Sequence, residues 1–485
     1  MRKISLSVAL IPVWVLIILL AVNVWVFKDD ATSGSNQFAL LVGGAIAAGI
    51  GLLYRVSFDS IIEHISDNIK STVSAILILL FVGALAGTWT LSGIVPAMIY
   101  YGLQILNPSI FLAASLVISS IVSVATGSSW TTSATIGIAL IGIGNSLGVS
   151  AAMTAGAVIS GAYFGDKISP LSDTTNLAAA MAGTDLYTHI RYMLVTTGPS
   201  ILISLLIFII IGFNVEPKGI VDDEVVLELI RSKFNLSPWL FLVPVIVIFL
   251  ILRKVSPLPS LMIGTLLGAV FSLIFQSDLL KEMTGNQALD FMSTYKLIMN
   301  SITSEIVIPV ETVQLPSGQE LNLQDLFIQG GMSGMLNTVF LIICAMVFGG
   351  AMEAIGALEK IAEFFLSLFN SVLGLFASTV ATCLALNVTA SDQYLAIVVP
   401  GKMFKNAYDK KGLTPENLSR TLEDSGTVTS VLIPWNTCGA YHSKVLLGQS
   451  GMVSYIPYTF FNLISPFMTL LVAAIGYKIK YLKEK

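Results

Sequence analysis

From Ser71 to Gly165 the chain runs 95 residues without an Asp, Glu, Lys, Arg or His. Water would leave such a stretch no reason to stay folded as a soluble surface, whereas hydrocarbon tolerates it. Further uncharged stretches cover 31–54, 192–215, 234–252, 255–277, 326–352, 364–391 and 445–477, each near the ~20 residues that a helix needs to cross a bilayer. The basic start Arg2 and Lys3 precedes an apolar stretch longer than a signal-peptide core, and reads as a retained first helix. Only 11% of the residues are charged and the net charge is −4. Both figures exclude an ordinary soluble enzyme and a basic nucleic-acid binder. Three dispersed cysteines, Cys344, Cys383 and Cys438, suit neither a disulfide framework nor a zinc site.

Lys and Arg stay preferentially on the cytoplasmic side. With the amino terminus inside, Arg55, Lys70, Arg191, Arg253, Lys254, the lysines of 402–411 and the tail Lys478, Lys480, Lys483 and Lys485 all fall inside, while the acidic loops 214–236 and 276–331 fall outside. This bookkeeping requires about ten transmembrane helices plus two re-entrant hairpins, in an all-α polytopic membrane protein with both termini cytoplasmic.

The chain also repeats itself. Thr72-Val73 with Val82-Gly83 recurs as Thr338-Val339 with Phe348-Gly349. Polar interruptions then follow in the same order: Thr126–Ser133 answers Asn387–Gln393, and Gly165–Asn176 answers Asp424–Asn436. The intervals from Thr72 to Thr126 and from Thr338 to Thr389 are 54 and 51 residues. Five crossings separate the two starts, so the halves are inverted repeats, each with one broken helix. The expected division is 1–70, N-terminal helices and a linker; 71–213, a first repeat with a hairpin at about 110–149 and a broken helix at about 150–184; 214–331, external loops and two linking helices; and 332–485, a second repeat with a hairpin at about 372–404, a broken helix at about 414–446 and a last helix.

Inverted-repeat transporters bind substrate and coupling ion near the midplane, at discontinuous helices. In the first break, Pro170 removes a donor, Gly165 weakens the helix, and Asp166, Ser169, Ser172, Asp173, Thr174, Thr175 and Asn176 supply hard oxygen donors suited to Na⁺. Asp424, Thr427, Thr429 and Asn436 do so in the second break, where Gly426 and Pro434 repeat the unwinding and Glu423 stands at the mouth. Asp392 is the only charge between Phe364 and Val399. Hairpin-tip candidates are Thr126, Ser128, Ser129 and Thr131 in the first half and Asn387, Thr389 and Ser391 in the second. A carboxylate buried in lipid is costly when charged and alone, so it holds either a proton or a cation. Na⁺ and H⁺ therefore compete, and exchange needs no covalent chemistry and no cofactor beyond the two ions. Lys167 is the charge partner expected for Asp166 or Asp173, or a built-in cation that replaces Na⁺ in the empty site. His64, His189 and His442 fall in or near loops and read as solvated.

The stretches FGDKISPLSDTTNLAA (164–179), SDQYLAIVVPGKMF (391–404) and EDSGTVTSVLIPWNTCGAY (423–441) resemble the NhaC family of sodium/proton antiporters. That resemblance covers nearly the whole chain. It implies an exchanger of the bacterial or archaeal plasma membrane, often dimeric, in which a transport domain carrying both hairpins and both broken helices moves against a scaffold. It also leaves open a second cargo class, a small carboxylate metabolite coupled to Na⁺ or H⁺, as in malate/lactate exchange or amino-acid uptake.

Overall fold

The computed structural model describes residues 4–27, 34–105, 107–214, 223–253, 255–286, 288–310, 313–314, 320–321, 327–368, 371–448 and 453–482. Arg2, Lys3, Lys254, Lys483 and Lys485, and parts of both acidic loops, lie outside them. The chain is helical almost throughout. Its helices α1 (Leu6–Phe27), α2 (Ser35–Leu53) and α3 (Phe58–Leu91) are followed by a short α4 (Ile94–Ile105).

A hairpin comes next. Its first arm, α5 (Pro108–Thr126), starts with an Asn107 cap and Pro108 in the first turn and ends on Gly127, whose φ of 68° lets the chain reverse. The returning arm is α6 (Ser129–Thr132), a π turn over Ser133–Gly137 and α7 (Ile138–Ser146). The first broken helix then runs as α8 (Ala151–Ile168) and α9 (Asp173–Ala182), followed by α10 (Leu186–Asn214). Gly165 does not weaken α8, which stays helical to Ile168. A Cβ at Gly161 would collide with the Leu116 carbonyl oxygen and one at Gly165 with the Val124 amide, so these small residues let α8 lie directly on α5. The break proper is Ser169–Ser172, set by Pro170.

Linking elements follow: α11 (Asp223–Lys233), α12 (Leu242–Leu252), α13 (Pro257–Phe275), α14 (Ser277–Thr284) and α15 (Phe291–Thr303). Two small antiparallel pairs complete the loop: β1 (Ile306–Val307), β2 (Val313–Gln314) and β3 (Glu320–Leu321) precede β4 (Ile328–Gln329), which pairs with β1 while β2 pairs with β3. The second half repeats the order of the first. It comprises α16 (Leu336–Ala354), short α17 (Ala357–Ser367), a hairpin of α18 (Val372–Thr389) and α19 (Leu395–Lys410), a broken helix of α20 (Pro415–Leu422) and α21 (Thr437–Leu447), and α22 (Phe460–Ala474). Between α20 and α21 lie a π turn at Glu423–Thr427, a 3₁₀ turn at Ser430–Leu432 and an unwound link.

Among the described residues, eight helices are long and apolar enough to cross a membrane, or nine with the pair Leu227–Lys233 and Pro238–Ile251 counted as one span bent by 90°. Length alone miscounts this fold. Two of the eight, α5 and α18, are hairpin arms. The other six, with α12, α22 and the two broken helices, number ten elements, which matches the count of crossings expected from the loop charges. The protein is an all-α polytopic membrane protein.

Candidate functional site

Both hairpin tips and the first break meet at one cavity of about 430 Å³. Tip one is built locally. Ser128 caps α6 by accepting the Thr131 amide (3.2 Å) and hydroxyl (3.1 Å), and Thr132 donates its hydroxyl to the Ser128 carbonyl at 2.9 Å. This turns Ser129 toward the first break. There it donates its amide (3.0 Å) and its hydroxyl (2.8 Å) to Asp166 Oδ2. Asp166 Oδ1 has no hydrogen-bond partner, although the residue is only 6% exposed.

Across the break, Thr175 donates its hydroxyl to the Lys167 carbonyl at 3.0 Å, and Asn176 donates its amide to the Ser172 carbonyl at 2.6 Å. Ser172 caps α9 and contacts the Thr174 hydroxyl at 3.1 Å. These polar side chains hold the break together. Asp173, exposed to the cavity, accepts the Tyr394 hydroxyl of tip two.

Tip two depends on Ser391, a non-glycine residue with φ of 59°, a conformation retained only where the surroundings enforce it. Its carbonyl accepts the Thr437 amide at 3.0 Å, which ties the tip to α21. Asp392, 2% exposed, accepts the amides of Tyr394 (2.8 Å) and Leu395 (3.1 Å) at the start of α19. Asn387 donates to the Gly426 carbonyl (2.8 Å) and the Thr429 hydroxyl (2.9 Å), and Asn436 donates to Asn387 Oδ1 at 3.1 Å, so the second break is stitched to its hairpin. Thr389 bonds its own helix at Ala385.

Of the candidate residues, Asp166, Asp173, Asp392, Thr126 and Ser128 line the cavity. The three carboxylates thus share one cavity. Ser169, Ser172, Thr174, Thr175, Asn176, Ser129, Thr131, Asn387, Thr389, Ser391, Thr427, Thr429 and Asn436 stand behind that surface as buried or structural groups. Residues that the spacing argument passed over also line it: Ser71, Thr72 and Ser74 of α3, Gln393, Tyr394 and Thr437. Only the pairing of tips across the two halves brings them there, and a linear pattern does not contain it.

Lys167 pairs with Asp424 rather than with either aspartate of its own break. The two broken helices are thereby joined by a fully buried ion pair. Arg420, also fully buried, brings Nε within 4.0 Å of Asp424 Oδ2 and stacks over Tyr192 at 4.6 Å. Both Glu423 oxygens are buried without a hydrogen-bond partner. Glu423 is not at a mouth but inside. His189 and His442 are likewise fully buried, bonded to Ser419 (2.7 Å) and Ser133 (2.9 Å), which corrects their reading as solvated. The error came from placing them by loop position: His189, in the first turn of the unbroken α10, lies against Ser419 of α20, and His442 of α21 lies against Ser133 of hairpin one.

A model of the Na⁺/H⁺ antiporter family matches residues 161–477. The chain is 34% identical over 475 residues to the Na⁺/H⁺ antiporter NhaC of Alkalihalophilus pseudofirmus, covering 98% of this chain and 96% of that one. It is 35% identical over 452 residues to the malate-2H⁺/Na⁺-lactate antiporter of Bacillus subtilis, covering 92% and 91%. The solved structure of Neisseria gonorrhoeae MtrF, at 14% identity, covers 95% of this chain and 94% of its own with a TM-score of 0.41. With both breaks and the second hairpin inside the matched region, the chain belongs to the Na⁺/H⁺ antiporter family.

Proposed function

We propose that this protein exchanges Na⁺ for H⁺ across the plasma membrane by alternating access, with the two ions competing for Asp166, Asp173 and Asp392. One observation carries the reading: three carboxylates face one cavity whose described lining contains no Lys, Arg or His. Such a wall attracts cations and leaves its own charge to be answered by either ion. Asp166 Oδ1, the free oxygen, is the first ligand offered to Na⁺; the Ser129 donors fix its partner oxygen in place. The hydroxyls of Thr126 and Ser128 at the tip add neutral oxygen donors. On this reading the protein uses no cofactor beyond the two ions and keeps both termini in the cytoplasm.

The carboxylate-carrier alternative draws on the malate/lactate relative. The cavity gives an organic anion no cationic side chain among its described residues, which favours ion exchange. Reconstituted protein under an imposed pH gradient, with no organic solute present, is expected to take up ²²Na⁺. Asp166→Asn should lower that uptake roughly 10–100-fold, the equivalent of ~1.5–3 kcal/mol for one charge-assisted contact. Uptake that requires added malate or lactate overturns the reading.

A further inference from the structure

The stretch that follows α22 folds back as a strap on the start of the second broken helix. Gly476 (φ 67°) and Lys478 (φ 51°) reverse the chain, and Leu413 and Tyr481 then form an antiparallel bridge. The Lys480 carbonyl accepts the Thr414 amide at 3.1 Å and the Asn417 side-chain amide at 2.8 Å, and the Leu482 amide donates to the Gly412 carbonyl at 2.7 Å. Lys480 Nζ reaches Glu416 at 3.1 Å. The first turn of α20 is thus tied down from outside its own half-helix.

Tyr192 of α10 carries this anchoring inward. Its hydroxyl is shared between Asn417 Oδ1 at 2.6 Å and the Lys478 carbonyl at 2.8 Å, while Lys480 lies over its ring at 4.9 Å and Arg420 at 4.6 Å. None of the three Arg420 guanidinium nitrogens has a hydrogen-bond partner among the described residues, nor has Asp424 Oδ2, and the two groups stand 4.0 Å apart with both side chains at 0% exposure. In a low-dielectric interior such a pair should close to a contact of ~2.7–2.9 Å. The aromatic seat opposes closure: Tyr192, with Phe376 at 5.8 Å, holds the guanidinium back from the carboxylate. Asp424 is left to Lys167. Among the described residues neither cation has another carboxylate oxygen within 4.0 Å.

We infer that the strap and Tyr192 are positioning elements of the ion site: they keep Arg420 off Asp424, so that Asp424 neutralises Lys167 alone and Asp166, its neighbour on α8, stays available to Na⁺. The inference rests on the reading of Asp166 as an Na⁺ ligand. With the ring released, Arg420 closes on Asp424 Oδ2 and one carboxylate answers two cations at contact. The Lys167 ammonium is then less fully neutralised and opposes a second cation at the adjoining residue. The strap therefore sets the affinity for Na⁺ without touching the ion.

Tyr192→Phe keeps the ring and removes the hydroxyl, and Lys480→Ala removes the anchor to Glu416. In proteoliposomes under an imposed pH gradient both should raise the Na⁺ concentration for half-maximal ²²Na⁺ uptake several-fold with the maximal rate little changed, while Lys480→Arg stays near wild type. A purely structural role would lower the maximal rate and leave half-saturation in place; that result overturns the inference. A second test holds folding constant. Leu413→Cys with Tyr481→Cys, added to Lys480→Ala, sets two thiols across an antiparallel bridge, where Cα atoms lie ~4.5–5.5 Å apart and a disulfide fits; the three native cysteines are buried. Oxidation should return half-saturation toward the wild-type value and reduction of the same sample should raise it again, whereas equal values in the two states overturn the inference. The Na⁺ dependence of the melting midpoint in detergent reads the same affinity without transport. The strap is thereby tested even where wild type shows no pH-driven uptake, the result that defeats the exchange reading alone.

Discussion

At the scale of single residues, the buried pair Lys167–Asp424 has the clearest energetic consequence. Removing one partner from a buried ion pair leaves an uncompensated charge and costs ~3–5 kcal/mol, whereas replacing both with apolar groups is often neutral. Asp424→Asn should therefore lower the thermal midpoint sharply, and Lys167→Met combined with Asp424→Leu should restore it, as read by melting in detergent. We expect the double variant to be folded yet unable to exchange Na⁺, because the charge next to Asp166 is gone; restored exchange would make the pair purely structural. Composition revealed that Lys167 needs a partner, since intramembrane charges pair. It did not reveal which one. Asp166 and Asp173 are nearest in sequence, but α8 turns Asp166 toward Ser129 and Lys167 toward the second broken helix. Arg420, in the polar-looking segment PENLSRTL, gives no linear sign of being buried to 0% exposure.

At the scale of elements, the breaks were legible because Pro170, Pro434 and their polar neighbours interrupt otherwise continuous apolar sequence. Close packing was not. Gly161 and Gly165 look like helix breakers in isolation, and their true role appears only when α5 lies against α8. Gly161→Val should push the two helices apart, at ~1–3 kcal/mol for an overpacked contact, and lower the melting temperature; an unchanged melt would refute the contact. Outside the membrane, Asp290 caps α15 by accepting the Ser293 amide at 3.0 Å. Hydrogen bonds from the Ser293 side chain and backbone hold its carboxyl down at about 2, from an ordinary 3.8. Because the folded value is the lower one, the cap contributes fully above about pH 4 and is lost as pH falls toward 2. Protection factors for the amides in the first turn of α15, corrected for the intrinsic pH dependence of exchange, should thus fall over that window, and in Asp290→Ala they should be low at every pH.

For the whole molecule, the arrangement depends on counting crossings, and loop charge and helix length give different counts. Among the described residues eight helices are long and apolar enough to cross, but two of them form hairpin arms, while α12, α22 and the broken helices, each too short alone, bring the tally of elements to the expected ten. On the proposed topology an even number of crossings returns the C-terminus to the side on which the N-terminus begins, and the basic segments at Arg55–Lys70, Lys402–Lys411 and Lys478–Lys480 predict that this side is the cytoplasm. On that expectation the aspartate cavity, lined by Ser71 on α3 and Pro257 on α13, faces inward. A fluorescent protein that matures only in the cytoplasm, fused after Lys485, should therefore be bright, and an export-dependent phosphatase at the same position should be inactive. The reverse pattern would invert the molecule, so that the three aspartates face the exterior and the loop-charge reading of its orientation fails.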